Sequence, residues 1–334
     1  MKVLQIHNHD SFNLEFAKIP GIEIFNLVNE KNGHKVWGGG SRPKPDNVHA
    51  LEYENINDID CSQYDLFLVH SLERYEAVKG LPIKKVYLEH TLPYPLYNGA
   101  PHNEIIKDPY VKKVVFLSEE QVLSWKIKDI FQVEVIPSCI NVDEYEEWKG
   151  GENAILTAVN ELPRRNWCCG MDVWEKCSMG LPRVLLGDGN EDVKPNKLYP
   201  QYEQYEVYNL NAAGFKKQNE ARPYFINSAV YFNTNLYSTL PFALMEAMAH
   251  GMPIVSTNKN TAALYLENET TQHKKKSAFL SNIPFELRYY LRDILNNPGK
   301  DEWREIGLAA RASAREFFDP NRFISQWEGV LQEV

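Results

Sequence analysis

Short apolar runs, many of them β-branched, recur along the chain between polar stretches. The first half holds "KVLQI", "HKVWG", "YDLFLVHS", "KKVYLEH", "KKVVFLS" and "VEVIPS"; the second holds "NAILTAVN", "PRVLLGDG", "YEVYNL", "AVYFNTN" and "MPIVST". Most are continuously apolar rather than alternating, the pattern of parallel strands covered on both faces. Helix-like segments separate many of them: "GIEIFNLVNEKNG", "SEEQVLSWKIKDIF", "CGMDVWEKCSMG" and "PFALMEAMAHG". This alternation predicts an α/β fold of doubly wound sheets. The pattern runs once, pauses at the polar "NVDEYEEWKGGEN", and runs again. The reading is therefore an N-terminal domain over residues 1–145, a linker near 142–153 and a second domain over 150–315. At the end, Phe323, Ile324, Trp327, Val330 and Leu331 fall at helical spacing. They predict a docked amphipathic helix over 318–334, packing back toward the N-terminal domain.

One stretch, "STLPFALMEAMAHGMPIVST" (238–257), carries more than architecture. Ser238 and Thr239 suit a helix N-cap, and Pro241 suits the first turn, where its missing N–H costs nothing. Gly251 reads as the residue that ends the helix, and Pro253 follows it. The first-turn N–H groups lack internal partners and sit at the positive end of the dipole, which makes a site for an anion, phosphate above all. Capped helices of this kind are also ordinary architecture. Two doubly wound domains facing a central cleft would turn their strand carboxyl ends toward it, and ligands bind at such ends. Glu246 is then a lone carboxylate on an otherwise apolar helix.

Composition narrows the classes. With 334 residues the chain exceeds what one core usually serves, and 43% hydrophobic with 24% charged residues is an ordinary globular balance. A net charge of -9 disfavours nucleic acid as the main partner. No run has membrane-spanning length, and "MKVLQIHNHD" turns polar too early for a signal peptide. The five cysteines, Cys61, Cys139, Cys168, Cys169 and Cys177, lack paired C-x-x-C spacing. They fit reduced thiols in a cytoplasm, and no metal is expected.

In order along the chain, the motifs resemble the retaining nucleotide-sugar glycosyltransferases of the two-Rossmann-domain (GT-B) type, the large group 1 family. Its frame E-G-L-P-x-x-L-x-E-A-M-A-x-G-x-P-V-V is close to "STLPFALMEAMAHGMPIV" from Leu240 onward. "IPGIEIFNLVNEKNGHKV" resembles the family's G-G-x-E first helix, keeping Gly21 and Glu23. "VYLEHT" resembles its His-bearing strand end, "VVFLSEEQ" its V-x-x-S, and "VEVIPSCINVDEY" its I-P-N-G-V-D junction. "AVNELPRRN" resembles its phosphate loop and "VLLGDG", with Gly187, its V-I-G-D-G strand.

The resemblance implies a GT-B enzyme that moves a sugar from a nucleotide-diphosphate donor, a UDP-sugar first, to an acceptor hydroxyl on a glycan, lipid or small molecule. The donor itself is the substrate, and no cofactor is expected. Charge grows on the diphosphate as it leaves, so fixed positive groups accelerate the step. Arg164 and Arg165 occupy the phosphate loop, and an arginine fork can hold two phosphate oxygens at once. The resemblance puts Glu246 on the ribose hydroxyls, His90 near the donor sugar, and Gly21, Gly187, Ser238, Leu240, Pro241 and Phe242 around the donor. His90 and Arg165 are the catalytic candidates. Ser238 stands where the family has its first Glu, and the Arg of its G-R-L is replaced, since "NEL" puts Asn160 and Glu161 there. These departures motivate an alternative, a degenerate glycosyltransferase-like protein that binds without turnover. A viral-type glycosyltransferase modifying DNA is a further alternative, opposed by the acidic charge; a nucleotide-sugar epimerase would need acid and base groups not identified in the sequence.

Overall fold

The computed structural model describes residues 1–38, 41–93, 102–127, 133–193, 210–259, 264–266 and 276–334. They form two compact units, Met1–Cys139 with Pro320–Val334, and Ile140–Asp319.

The first unit is built on strands β1 (Lys2–Gln5), β2 (Glu23–Val28), β3 (Val48–Glu52), β4 (Leu66–Val69), β5 (Lys85–Glu89), β6 (Val111–Phe116) and β7 (Val133–Val135). All pairings are parallel, in the order β3-β2-β1-β4-β5-β6-β7. Every residue of β4 and β5 is buried, as parallel strands covered on both faces require. Helices α1 (Asp10–Phe16), α2 (Leu72–Val78), α3 (His102–Ile105) and α4 (Glu119–Ser124) supply that cover. The strand order reverses between β1 and β4, the place where such sheets bind ligands.

The C-terminal helix, Pro320–Glu333, belongs to this unit and buries Phe323, Trp327, Val330 and Leu331. Trp327 meets Phe16 edge-on at 5.0 Å and Phe12 at 5.9 Å. Such pairs contribute about 0.5–1.5 kcal/mol each beyond the area they bury.

The second unit repeats the plan with β8 (Glu152–Ala158), β9 (Arg183–Leu186), β10 (Leu210–Gly214), β11 (Ser228–Asn233), β12 (Ile254–Ser256) and β13 (Phe279–Leu280). They too are parallel, in the order β10-β9-β8-β11-β12-β13. Its helices are α5 (Asn166–Cys169), α6 (Met171–Ser178), α7 (Gln218–Asn227), α8 (Phe242–His250), α9 (Pro284–Asn296) and α10 (Asp301–Phe317). Helix α8 joins β11 to β12 and is buried from Leu244 through His250. It stops at Gly251, whose φ of 73° is left-handed. Against that stop lies Gly307 of α10, where a Cβ would come within 2.0 Å of the Gly251 carbonyl oxygen.

The structure corrects the sequence reading at several elements. Residues 21–33 are not the first helix: Glu23–Val28 is strand β2, and the first helix is Asp10–Phe16. A short run with Ile22, Ile24, Phe25 and Leu27 fits either period, and the bracketing glycines, Gly21 at φ 72° and Gly33 at φ 67°, hold it to strand length. "HKVWG" contributes only an isolated bridge at His34, while Val48–Glu52, an edge strand of mixed burial, takes the strand position. The two-residue strand Phe279–Leu280 was too short to signal itself. Most of "YEVYNL" and the end of "SEEQVLSWKIKDIF" lie outside the described residues. The segment expected as a linker is instead the start of the second unit. Tyr145 and Trp148 are buried there, and the Trp148 indole donates to the Ser228 carbonyl at 2.8 Å.

Gly307→Ala is expected to destabilise the second unit by about 1–3 kcal/mol through overpacking against Gly251. A lowered urea midpoint with unchanged circular dichroism of the folded chain checks this; an unchanged midpoint would show that α8 and α10 can separate freely.

Candidate functional site

In the first unit, histidines follow three neighbouring strands around the reversal: His7 and His9 after β1, His70 after β4 and His90 after β5. His7 Nε2 lies 2.7 Å from Asp10 Oδ1, and both residues are buried. Asp10 also accepts from the Gly38 N–H and the Ser41 hydroxyl, each at 2.9 Å. A Cβ at Gly38 would sit 2.4 Å from Asp10 Oδ1, so the close approach needs glycine. Burial pushes the Asp10 carboxyl up, but the hydrogen bonds from His7 and Ser41 hold it below the usual range. His70 Nδ1 lies 3.0 Å from His90 Nε2, and the Phe12 ring stands edge-on to both imidazoles, at 5.7 and 5.4 Å. Burial lowers the His70 pKa well below 6.5, and the neighbouring His90 lowers it further. Burial likewise brings His90 down to about 3. Of this cluster the sequence singled out His90 alone. The others carried a signal, since each directly follows or lies close behind an apolar strand run.

Gly21 is corrected as a donor contact. It lies in the turn before β2, beside the amino end of β1, where its carbonyl accepts from the Met1 ammonium at 2.6 Å. That is the edge of the sheet opposite the strand carboxyl ends. The error follows from reading β2 as a helix.

In the second unit the loops after β8, β9 and β11 are bound to one another. Asn190 donates to the Val159 carbonyl at 2.6 Å and accepts from the Leu162 N–H at 2.9 Å. Gly187, with φ 125°, would drive a Cβ to 2.1 Å from the Val159 oxygen. Its position is thus explained by close loop packing. Arg164 grips Glu161 through two nitrogens, one at 2.7 Å, on the surface. The charge expected for phosphate at Arg164 is therefore already balanced. Arg165 is half-buried at the start of α5, and among the described residues no acceptor takes its guanidinium.

The main-chain carbonyl of Cys168 accepts from both Leu236 and Tyr237 N–H, at 2.8 and 3.0 Å. The Thr234 hydroxyl donates to the Cys169 carbonyl at 2.7 Å. Gly170 permits the approach, because a Cβ there would lie 2.3 Å from the Thr234 oxygen. Arg165, the N-cap of α5, and Ser238, on the segment leading into α8, thus sit on two loops clamped together. Ser238 is half-buried and Leu240 buried. Pro241, expected in the first turn, is instead the N-cap, with extended ψ of 123°, and neither Ser238 nor Thr239 caps the helix. No acidic residue lies in the first turn of α8, so its positive end keeps its charge. Glu246, further along α8, is 9% exposed and accepts from the Tyr145 hydroxyl at 3.3 Å. That hydroxyl accepts in turn from the Gln218 amide at 3.0 Å. Burial, then the nearby Glu246, raises the Tyr231 pKa. Tyr145 and Gln218 were missed because they lie far from Glu246 in sequence.

Comparison with known proteins settles the family of this unit. Residues 162–282 match the model described as glycosyl transferases group 1. The second unit carries a group 1 glycosyltransferase domain. An uncharacterized glycosyltransferase of Haemophilus influenzae is 24% identical over 230 residues, 66% of this chain; the chain spans 61% of that relative's length. HepE of Anabaena, solved with UDP, superposes over 100% of both chains with TM-score 0.70 at 13% identity. Sucrose-phosphate synthase of Thermosynechococcus elongatus superposes over 99% of this chain and 98% of its own with TM-score 0.71 at 12% identity. These likenesses establish the GT-B fold, two parallel Rossmann-like sheets. Among the described residues no helix is long and apolar enough to cross a membrane, and no group of histidines, cysteines and carboxylates could hold a metal ion.

The lowered His70 and His90 values set a pH dependence. Below about 6.5 the unfolded chain binds protons that the folded one refuses, so stability falls as pH drops from 6.5 toward the folded values. The loss approaches about 1.4 kcal/mol per pH unit for each excluded proton. Buried His250, lowered to about 4 by burial, adds to the same window. Urea midpoints between pH 7 and about 5, before carboxylates titrate, should fall in wild type and fall less in His70→Phe. Parallel curves would remove His70 from the effect.

Proposed function

We propose that the chain transfers a sugar from a nucleotide-diphosphate donor, a UDP-sugar first, to an acceptor hydroxyl, retaining the anomeric configuration and using no metal. The observation that carries this reading is the Cys168 clamp, which joins the Arg165 loop to the loop that opens α8, inside the group 1 glycosyltransferase match. A diphosphate held there would meet a guanidinium and the positive end of a helix together. The clamp fixes the main chain that carries both before reaction, and both gain most as charge grows on the leaving group. They take the role a cation would otherwise fill. Pro241 and Phe242 bring the first turn to the phosphates, and Leu240 and Gly187 hold the walls. Glu246 is assigned to the ribose hydroxyls, which its two carboxylate oxygens can accept beside Tyr145. His90, in the first unit, is assigned to the sugar by family resemblance. Arg164, bound to Glu161, is left out of the phosphate contacts. A neutral serine at 238 offers no carboxylate nucleophile, in keeping with a front-face path in which donor and acceptor react on one side of the sugar. The UDP complexes of HepE, with UDP-glucose in a further structure, support uridine as the first base to test. Five free cysteines support a reducing, cytoplasmic setting.

Thermal shifts with UDP, GDP, ADP and TDP, then NMR of the product anomer, test the reading; stabilisation by none of them would overturn it. Glu246→Gln is expected to weaken binding of the preferred nucleotide about tenfold, a loss of about 1.4 kcal/mol, in a protein that still folds. Unchanged affinity would remove the ribose role. Arg165→Ala should lower kcat about 10²-fold with KM little changed, because its charge acts in the transition state. A raised KM at normal kcat would make Arg165 a ground-state contact only. Ser238→Glu should shift or abolish the sugar choice. If wild type is inert with every donor and Ser238→Glu alone transfers, the chain is a degenerate binder.

A further inference from the structure

The first unit's histidines are linked by two carboxamides whose orientation can be deduced. The main-chain carbonyl of His9 can only accept, and it lies 3.0 Å from Asn13 Nδ2. That nitrogen also lies 3.4 Å from His7 Nδ1, while His7 Nε2 faces the Asp10 carboxylate at 2.7 Å. His7 therefore donates to Asp10 and presents an Nδ1 lone pair to Asn13. Turned over, the Asn13 amide would set its oxygen against two acceptors. Its Oδ1 thus accepts from Gln5 Nε2, at 2.8 Å. Gln5 Oε1 then lies 2.6 Å from His70 Nε2, which must carry the proton. That leaves His70 Nδ1 as an acceptor, and the atom facing it at 3.0 Å is His90 Nε2.

We propose that His70 is a positioning residue for His90: the chain Asn13–Gln5–His70 draws the His90 Nε2 proton inward and leaves Nδ1 as the ring's acceptor. The buried members fix this polarity, since Gln5 and Asn13 are wholly buried and His70 is 1% exposed. An imidazole held this way accepts a hydrogen bond from a hydroxyl and has no N–H to offer a phosphate oxygen. His90 is thereby suited to the sugar rather than the diphosphate. That last assignment rests on the transfer reading above, whereas the direction of the hydrogen bonds does not.

The test is solution NMR of the full chain labelled with ¹⁵N-histidine. The expected result is a through-bond coupling that links the proton on His90 Nε2 to His70 Nδ1, lost in His70→Phe. In His70→Asn, whose amide oxygen can take the proton, the His90 Nε2–H should stay slow to exchange although the coupling is gone. A proton found on His70 Nδ1, or no coupling between the two rings in wild type, overturns the proposal. The wild-type spectrum decides even if neither variant folds. A protein inert toward every nucleotide sugar that still shows the coupling loses the transfer reading and keeps the relay.

Discussion

The carbonyl of Cys168 is the point on which the second unit's candidate site depends. It belongs to a one-turn helix and accepts two main-chain N–H groups from the loop after β11. Each bond is worth little by itself, on the order of 1 kcal/mol net. Their effect is geometric. With the Thr234–Cys169 bond they hold the Arg165 loop against the segment leading into α8. A phosphate site built from a guanidinium and a helix end is useful only if the two are held at fixed separation, since the advantage of fixed dipoles is lost when they must reorganise. Gly170 and Gly187 belong to the same constraint, because each stands where any side chain would collide with a neighbouring carbonyl.

The parts of the fold that were legible in the sequence were those whose physics is local. Fully buried strands such as Leu66–Val69 and Ser228–Asn233 announce themselves by continuous apolar runs. The end of α8 was legible because a left-handed residue there all but requires Gly251. What failed was decided at a distance. Ile22 to Leu27 could satisfy helix or strand, and pairing with β1 chose strand. Residues 142–153 look like a linker by composition, but two aromatics bury themselves in the following unit. In the site, the position of Glu246 could be read by resemblance, whereas its partner Tyr145 could not. The histidine cluster shows the same limit: each residue is visible in sequence, yet the strand order that gathers them is not.

The two units place different chemistry at equivalent edges. Carboxyl ends of strands in the second unit present main-chain N–H groups and a guanidinium. Those of the first present imidazoles that burial keeps uncharged near neutral pH. A neutral ring has a defined donor and acceptor, and a relay of amides can hold that definition only while the imidazoles remain unprotonated.

The C-terminal helix has a consequence for synthesis. Trp327 fills the space beside Phe12 and Phe16, so the apolar side of α1 stays uncovered until residues 320–334 have left the ribosome. The second unit is contiguous and can close first, although it is encoded later. The N-terminal half must therefore wait, partly assembled, with aromatic surface open to chaperones or to other nascent chains.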